Sequence, residues 1–294
     1  MTEGRIPFAG GETWYGIVGG SEEPGKLPLL CLHGGPGALH DYLEPLGSLA
    51  DTGRRVIFYD QIGCGRSWVE KPGEAWTVEL FVGEVQAVRD ALGLDRVHLF
   101  GSSWGGMLAM EYALTRPVGL ASLVLSSSPA SIPVWAEEAS RLRHELPEET
   151  QRVLDEHEAA GTLDSAEYRA ATMEFYKRHV CRLDPWPDYV LRTFTGIEEH
   201  PDVYTTMQGP NEFLITGTLR DWDITDRLGE ITVPTLITAG RHDEFTPRQA
   251  QALHRGIPGS ELVTFEESSH MQFAEEPARY HDALAAFLDR VEQE

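Results

Sequence analysis

Three residues far apart in the chain have the types and the order that acyl transfer needs: Ser103, Asp243 and His270. Ser103 stands in "LFGSSWGGMLAM", residues 99–110, where Gly101, Ser103 and Gly105 give the pattern G-x-S-x-G. An apolar run, "VHLF", precedes it and a helical run, "MLAMEYAL", follows. That strand–turn–helix context is what a nucleophile elbow requires, a strained turn with small residues on both sides of an exposed serine. A glycine-rich loop without chemistry could share the pattern, and the flanking elements separate the two readings. A serine hydroxyl is a weak nucleophile at neutral pH and needs an adjacent base. His270, in "EESSHMQF", follows the last strand-like run and precedes the last helix, which suits the chain order serine, acid, histidine. His281 falls inside the final helix pattern, and His33 precedes the serine. The acid that orients the histidine and stabilises its cation is expected at Asp243 in "TAGRHDEFTP". The adjacent Glu244 is the other candidate for that role; Asp223 and Asp226 are less well placed.

The same reaction needs donors for a developing oxyanion. The backbone N–H of Trp104, directly after the nucleophile, supplies one. The second is expected from "HGGPG", residues 33–37, at Gly35, with Gly34 as the alternative. Glycine there lets the backbone approach a substrate without a Cβ in the way. Competing chemistry has no pattern behind it. "GCGRSW" lacks the third glycine of a dinucleotide fingerprint, and the chain has neither H-E-x-x-H nor a Walker loop. The scheme therefore calls for no metal and no cofactor.

Groups so distant in sequence must be gathered by a regular scaffold. "RIPFAGGETWYGIVGG" alternates β-prone runs with glycines, as an opening hairpin would. "LPLLCL", "RRVIFYD", "DRVHLF", "LASLVL", "TLITAG" and "SELVTF" are short apolar runs suited to strands buried on both faces of a parallel sheet. Helical patterns lie between them, such as "VELFVGEVQAVRDALGL" with Leu80, Phe81, Val85, Val88 and Leu92. This alternation is the mark of an α/β sheet with crossover helices. It stops after Ser128 and returns at "ITVPTLITAG". Residues 1–130 and 229–294 are thus expected to form one core domain, and residues 131–228 a helical cap inserted in it. An insertion at the carboxyl ends of strands would cover a ligand crevice. A last amphipathic helix follows Pro277, with Tyr280, Leu284, Phe287, Leu288 and Val291 on one face.

Composition narrows the partners. Of the 294 residues, 41% are hydrophobic and 24% charged, enough for a sizeable core. The net charge of −23 repels phosphate backbones and anionic membrane surfaces. Nucleic acid and membrane are therefore not expected as partners, whereas a cationic small molecule is weakly attracted. The N-terminus lacks a basic stretch followed by an apolar one, and no apolar run could span a bilayer, so a cytoplasmic protein is expected. Cys31, Cys64 and Cys181 are odd in number and widely spaced, which argues against a disulfide framework or a zinc site. Cys64 is expected near the crevice. Nothing in the sequence speaks to the oligomeric state.

Taken in order, "HGGPG", "DQIGCGRS", "GSSWGG", "GRHDEFTP" and "SSHM" resemble the proline iminopeptidase family of α/β-hydrolases, a group that includes the tricorn-interacting aminopeptidases and L-amino acid amidases. The likeness runs through essentially the whole chain, and "GSSWGG" sits closer to the amidase and tricorn-factor branch. It implies the α/β-hydrolase fold, a mostly parallel sheet with helices on both faces and an inserted helical cap. It also implies release of an N-terminal amino acid, often proline, from short peptides or amino-acid amides through an acyl-enzyme. The resemblance assigns the substrate's free amino group to two glutamates: Glu212, in "QGPNEFLITG", and Glu244, after the catalytic aspartate. A cationic amine in a partly desolvated pocket does need carboxylate partners. The alternative is an esterase or lactonase of the same fold, acting on small acyl esters with no use for such an anchor.

Overall fold

The computed structural model describes residues 1–71 and 75–293. Its N-terminal alternation forms the hairpin β1 (Thr2–Phe8) and β2 (Gly11–Val18). The apolar runs become β3 (Leu29–Leu32), β4 (Val56–Tyr59), β5 (Val97–Ser102), β6 (Leu120–Ser126), β7 (Thr235–Gly240) and β8 (Glu261–Phe265). The eight strands make one sheet in the order β1-β2-β4-β3-β5-β6-β7-β8. The β1–β2 and β2–β4 pairs are antiparallel and all others parallel. Every residue of β3, β4, β5 and β7 is buried, the pattern of strands covered by helices on both faces.

Two crossover helices precede β6: α1 (Val78–Ala91) and α2 (Trp104–Leu114). Thr77 caps α1 by accepting the Leu80 N–H, and the helix buries Phe81, Val85 and Val88. Full burial of a side chain of this size is worth about 1.5–3 kcal/mol. Helix α2 is buried on nearly every side and threads through the core directly behind the elbow. Between β6 and β7 run five α-helices, α3 (Ile132–Arg143), α4 (Glu148–Ala160), α5 (Ala166–His179), α6 (Asp188–Glu199) and α7 (Asp202–Met207), followed by two short 3₁₀ helices (Thr218–Asp221 and Thr225–Glu230). After β7 come α8 (Pro247–Gly256), the single turn α9 (Gln272–Glu275) and α10 (Pro277–Gln293), which buries Tyr280, Leu284, Phe287 and Leu288.

One element has no counterpart among the sequence expectations. His40–Thr52 is a long 3₁₀ helix that buries Leu43, Leu46 and Leu49. Their three-residue spacing matches 3.0 residues per turn, and Pro45 within it cannot donate a backbone hydrogen bond. Glycines seat α6 and α7 against this region. A Cβ on Gly196 would lie 2.2 Å from Leu39 Cδ1, and one on Gly37 would lie 2.7 Å from the Tyr204 nitrogen. Among the described residues no helix is long and apolar enough to cross a membrane.

Candidate active site

The turn joining β5 to α2 is dictated by steric crowding. Ser103 has φ 55° and ψ −122°, the left-handed side of the map that non-glycine residues rarely occupy. A Cβ on Gly101 would stand 2.2 Å from the Gly105 carbonyl oxygen. On Gly105 it would meet the Leu32 oxygen at 2.1 Å, and on Gly106 the Ser128 Oγ at 1.9 Å. The chain therefore needs glycine on both sides of the serine. The Ser103 N–H donates to the Ser126 carbonyl at 2.9 Å, and the Ser103 carbonyl accepts from Gly106 and Met107 as α2 begins.

Ser103 and His270 line one small cavity of about 50 Å³. His270 Nδ1 lies 2.7 Å from Asp243 Oδ1. A carboxylate only accepts, so the proton is assigned to Nδ1 and Nε2 is left as the basic nitrogen. Glu244 Oε1 is 3.7 Å from the same Nδ1, which distinguishes the two acidic candidates by geometry. Asp243 is buried and accepts further hydrogen bonds from the Phe245 N–H (2.8 Å), Ser127 Oγ (2.6 Å) and Gln272 Nε2 (3.2 Å). Burial alone would lower the His270 pKa, but the charge and hydrogen bond of Asp243 outweigh it and hold the value above the ordinary one. The Trp135 ring stands edge-on to the imidazole, 5.9 Å between centroids. Among the described residues no hydrogen bond joins Ser103 Oγ to His270. Contacts of this kind commonly tighten only when substrate is bound.

The two expected oxyanion donors stand apart from Gly34. The Gly34 N–H is already given to the Tyr42 hydroxyl at 2.7 Å. Those of Gly35 and Trp104 have no protein acceptor among the described residues. Gly35 has φ +110°, and a Cβ there would lie 2.5 Å from the Gly37 nitrogen.

Glu212 and Glu244 line the same cavity as Ser103. The Asn211 carboxamide oxygen accepts from the Phe213 and Leu214 N–H groups at 3.1 and 2.8 Å, folding the loop after α7 so that Glu212 sits at its turn. Glu212 Oε1 accepts from the Tyr204 hydroxyl at 2.6 Å. Glu244 is 1% exposed, and neither of its oxygens has a hydrogen-bond partner among the described residues. Burial raises the pKa of both carboxyls; for Glu244 the nearby charges of Glu212 and Asp243 raise it further. Two desolvated carboxylates on one small cavity strongly favour a cation between them. Val180, Phe194, Ile197 and Met271 give the rest of the cavity an apolar wall.

The other sequence candidates lie elsewhere. Asp223 accepts from Ser131 Oγ at 2.6 Å, and His281 lies on α10. Cys64 is buried and does not line the cavity. Three residues that sequence reasoning passed over brace the acid and base loops. Ser127, itself at φ 51°, and Gln272 both hold Asp243, and Gln272 Nε2 also donates to the Ser269 and His270 carbonyls at 2.6 and 3.1 Å. Glu275 accepts from the Ser269 N–H at 2.7 Å and from the Arg182 N–H at 2.6 Å, tying the His270 loop to the chain after α5. The only signal for the first of them was the polar "SSS" at the carboxyl end of β6. A larger surface groove of about 540 Å³, flanked by Arg66 and Arg192, contains none of the reactive groups.

A family model described as alpha/beta hydrolase fold matches residues 28–277. A proline iminopeptidase of Thermoplasma volcanium is 42% identical over 289 residues, covering 98% of this chain and 97% of the relative. Among solved structures, VinJ superposes with a TM-score of 0.96 at 44% identity, over 99% of each chain. A proline iminopeptidase of Mycobacterium smegmatis superposes at 0.93, also 44% identical over 99% of each.

Proposed function

Because the chain belongs to the alpha/beta hydrolases, and among them to the proline iminopeptidases, we propose that it is a serine hydrolase that releases N-terminal proline, or another small N-terminal residue, from short peptides and amino-acid amides. The protonated amine of the substrate sits between Glu212 and Glu244. Ser103 Oγ attacks the carbonyl carbon while His270 Nε2 takes the hydroxyl proton, and Asp243 stabilises the imidazolium. The carbonyl electron pair moves onto oxygen, which accepts from the Gly35 and Trp104 N–H groups. His270 then protonates the leaving nitrogen, the C–N bond breaks and an acyl-enzyme remains. Water, deprotonated by the same imidazole, hydrolyses the ester and frees the amino acid. Residues 131–228 act as the cap that supplies Glu212 and the α6 wall. The reaction belongs to the cytoplasm, a reducing compartment in keeping with three unpaired, buried cysteines.

One observation carries this reading: Glu244, buried against the cavity with no hydrogen-bond partner for either oxygen among the described residues, lines the space it shares with Glu212. Unpaired buried carboxylates are costly, and an ammonium group is the ligand that offsets the cost. An acyl ester offers no such group. The test is kcat/KM for proline and alanine arylamides, their N-acetyl forms and a short acyl ester. Free-amine substrates are expected to exceed blocked ones by at least about tenfold, the value of one charge-assisted hydrogen bond. Equal use of free and blocked substrates would move the assignment to esterase.

A further inference from the structure

We propose that Gln61 is a positioning residue that locks the two oxyanion donors into one rigid unit. The inference depends on the serine-hydrolase reading above and extends it to a side chain outside the cavity. Gln61 lies just past β4 in "DQIGCGRS" and is fully buried. Its Oε1 accepts from the Trp104 indole N–H at 2.8 Å. Its Nε2 donates to the His33 carbonyl at 2.8 Å, and its backbone N–H donates to His33 Nε2 at 2.9 Å. One amide thus spans the end of β3 and the start of α2, reaching partners 28 and 43 positions away.

The consequence for the donors follows from the tautomer. With Nε2 of His33 accepting, its proton resides on Nδ1, which faces the Gly34 carbonyl at 3.0 Å. Burial pushes the His33 pKa down to about 4, so the ring stays neutral wherever the base His270 can work. The Gly34 carbonyl belongs to the peptide whose N–H is that of Gly35. In a trans peptide the two bonds point in opposite directions, so holding the carbonyl aims the N–H. On the other side, Trp104 is pinned through its indole by Gln61 and by the ring of Phe81, edge-on at 5.7 Å. Its own backbone N–H is the other donor. Donors fixed before the reaction need no reorganisation when charge develops.

The test uses Gln61→Met, which keeps the volume and removes both side-chain hydrogen bonds. On proline arylamide, kcat is expected to fall about 10- to 100-fold, as for a displaced oxyanion donor, with KM within about twofold. Prolinal, whose hemiacetal with Ser103 places an oxyanion in the hole, should lose affinity by the same factor as kcat. Proline itself, held through its amine, should bind within about twofold of wild type. A merely structural role would weaken proline and prolinal together, and that result overturns the proposal. Where Gln61→Met does not fold, Trp104→Phe cuts the same clamp at Oε1 and carries the test. Labelling of wild-type Ser103 by a serine-directed phosphonate separates the two levels. Absence of label removes the hydrolase reading itself, whereas a labelled wild type with undiminished kcat in the variants removes only the clamp.

Discussion

Replacing Glu212 by glutamine removes one charge from the acidic pair and leaves nearly everything else in place. The glutamine carbonyl can still accept from the Tyr204 hydroxyl, which now lies 2.6 Å from Oε1. A lost charge-assisted hydrogen bond is worth about 1.5–3 kcal/mol, so kcat/KM for proline arylamide should fall about 10- to 150-fold. A short acyl ester makes no contact with the pair and should lose no more than about threefold. The pH profile supplies a second reading. Burial is the first cause that raises the Glu244 carboxyl, and the charge of Glu212 is the next. A carboxyl with a raised pKa keeps its proton further up the pH scale, and it must lose that proton to hold an ammonium. Amine substrates should therefore show a rising limb in kcat/KM that the variant moves to lower pH, since one of the raising charges is gone. His270 must also be neutral, but that limb is common to amide and ester, so the ester profile isolates it. The assay is kcat/KM for both substrates between about pH 5 and 9 in wild type and variant. Equal losses on amide and ester, or an unmoved limb, would refute the amine anchor.

Three further outcomes are expected. Ser103→Ala should lower kcat by on the order of 10⁴ or more with an unchanged circular-dichroism spectrum, and a phosphonate should no longer label the protein. Gly105→Ala would place a Cβ 2.1 Å from the Leu32 oxygen, so it should yield insoluble protein or a much reduced Tm, measured by thermal unfolding, rather than an intact but slower enzyme. Glu84, fully buried on α1 and bonded to Thr13 Oγ1 and the Ile62 N–H, is pushed up to about 8 from 4.5, chiefly by burial. An acid that binds its proton more tightly when folded stabilises the fold at low pH and loses that advantage as pH rises from 4.5 to about 8, a span worth up to about 5 kcal/mol. Glu84→Gln should flatten the decline of urea-unfolding free energy across that window, and an unchanged slope would count against it.

The parts legible in sequence were those written in residue type and order. Six of the eight strands announced themselves as apolar runs, four of them (β3, β4, β5 and β7) wholly buried beneath helices on both faces, and β1 and β2 as an alternating hairpin. Ser103 was legible because its turn admits only small neighbours, and His270 and Asp243 because each follows a strand at its carboxyl end. What stayed hidden was polar pairing across long separations. Gln61, Ser127 and Gln272 sit in no periodic pattern, and their partners are set by strand order and loop approach rather than by spacing. Likewise, the sequence favours Gly35 over Gly34 in "HGGPG" but cannot show that Tyr42, eight residues beyond Gly34, takes the Gly34 N–H. The 3₁₀ helix was missed because its three-residue repeat falls between the periods of helix and strand.

The parallel pairing of β3 and β5 starts the turns that follow them side by side. Their last paired residues are Leu32 and Gly101. Gly35 and Trp104, whose N–H groups are proposed to share one oxygen, each lie three residues past that pair, in the turns beyond the two strands. Donors that each lie about 2.9 Å from a common atom can stand no more than about 5.8 Å apart. Neighbouring strands are about 4.8 Å apart, within that limit and close to the separation a comfortable angle at the oxygen would set. The ladder thus starts the two proposed donors from a workable spacing, and side-chain contacts such as those of Gln61 hold each turn from there. Substitutions between β6 and β7, at Phe194 or Ile197 for example, can therefore reshape the cavity wall while the two turns still start from the same ladder.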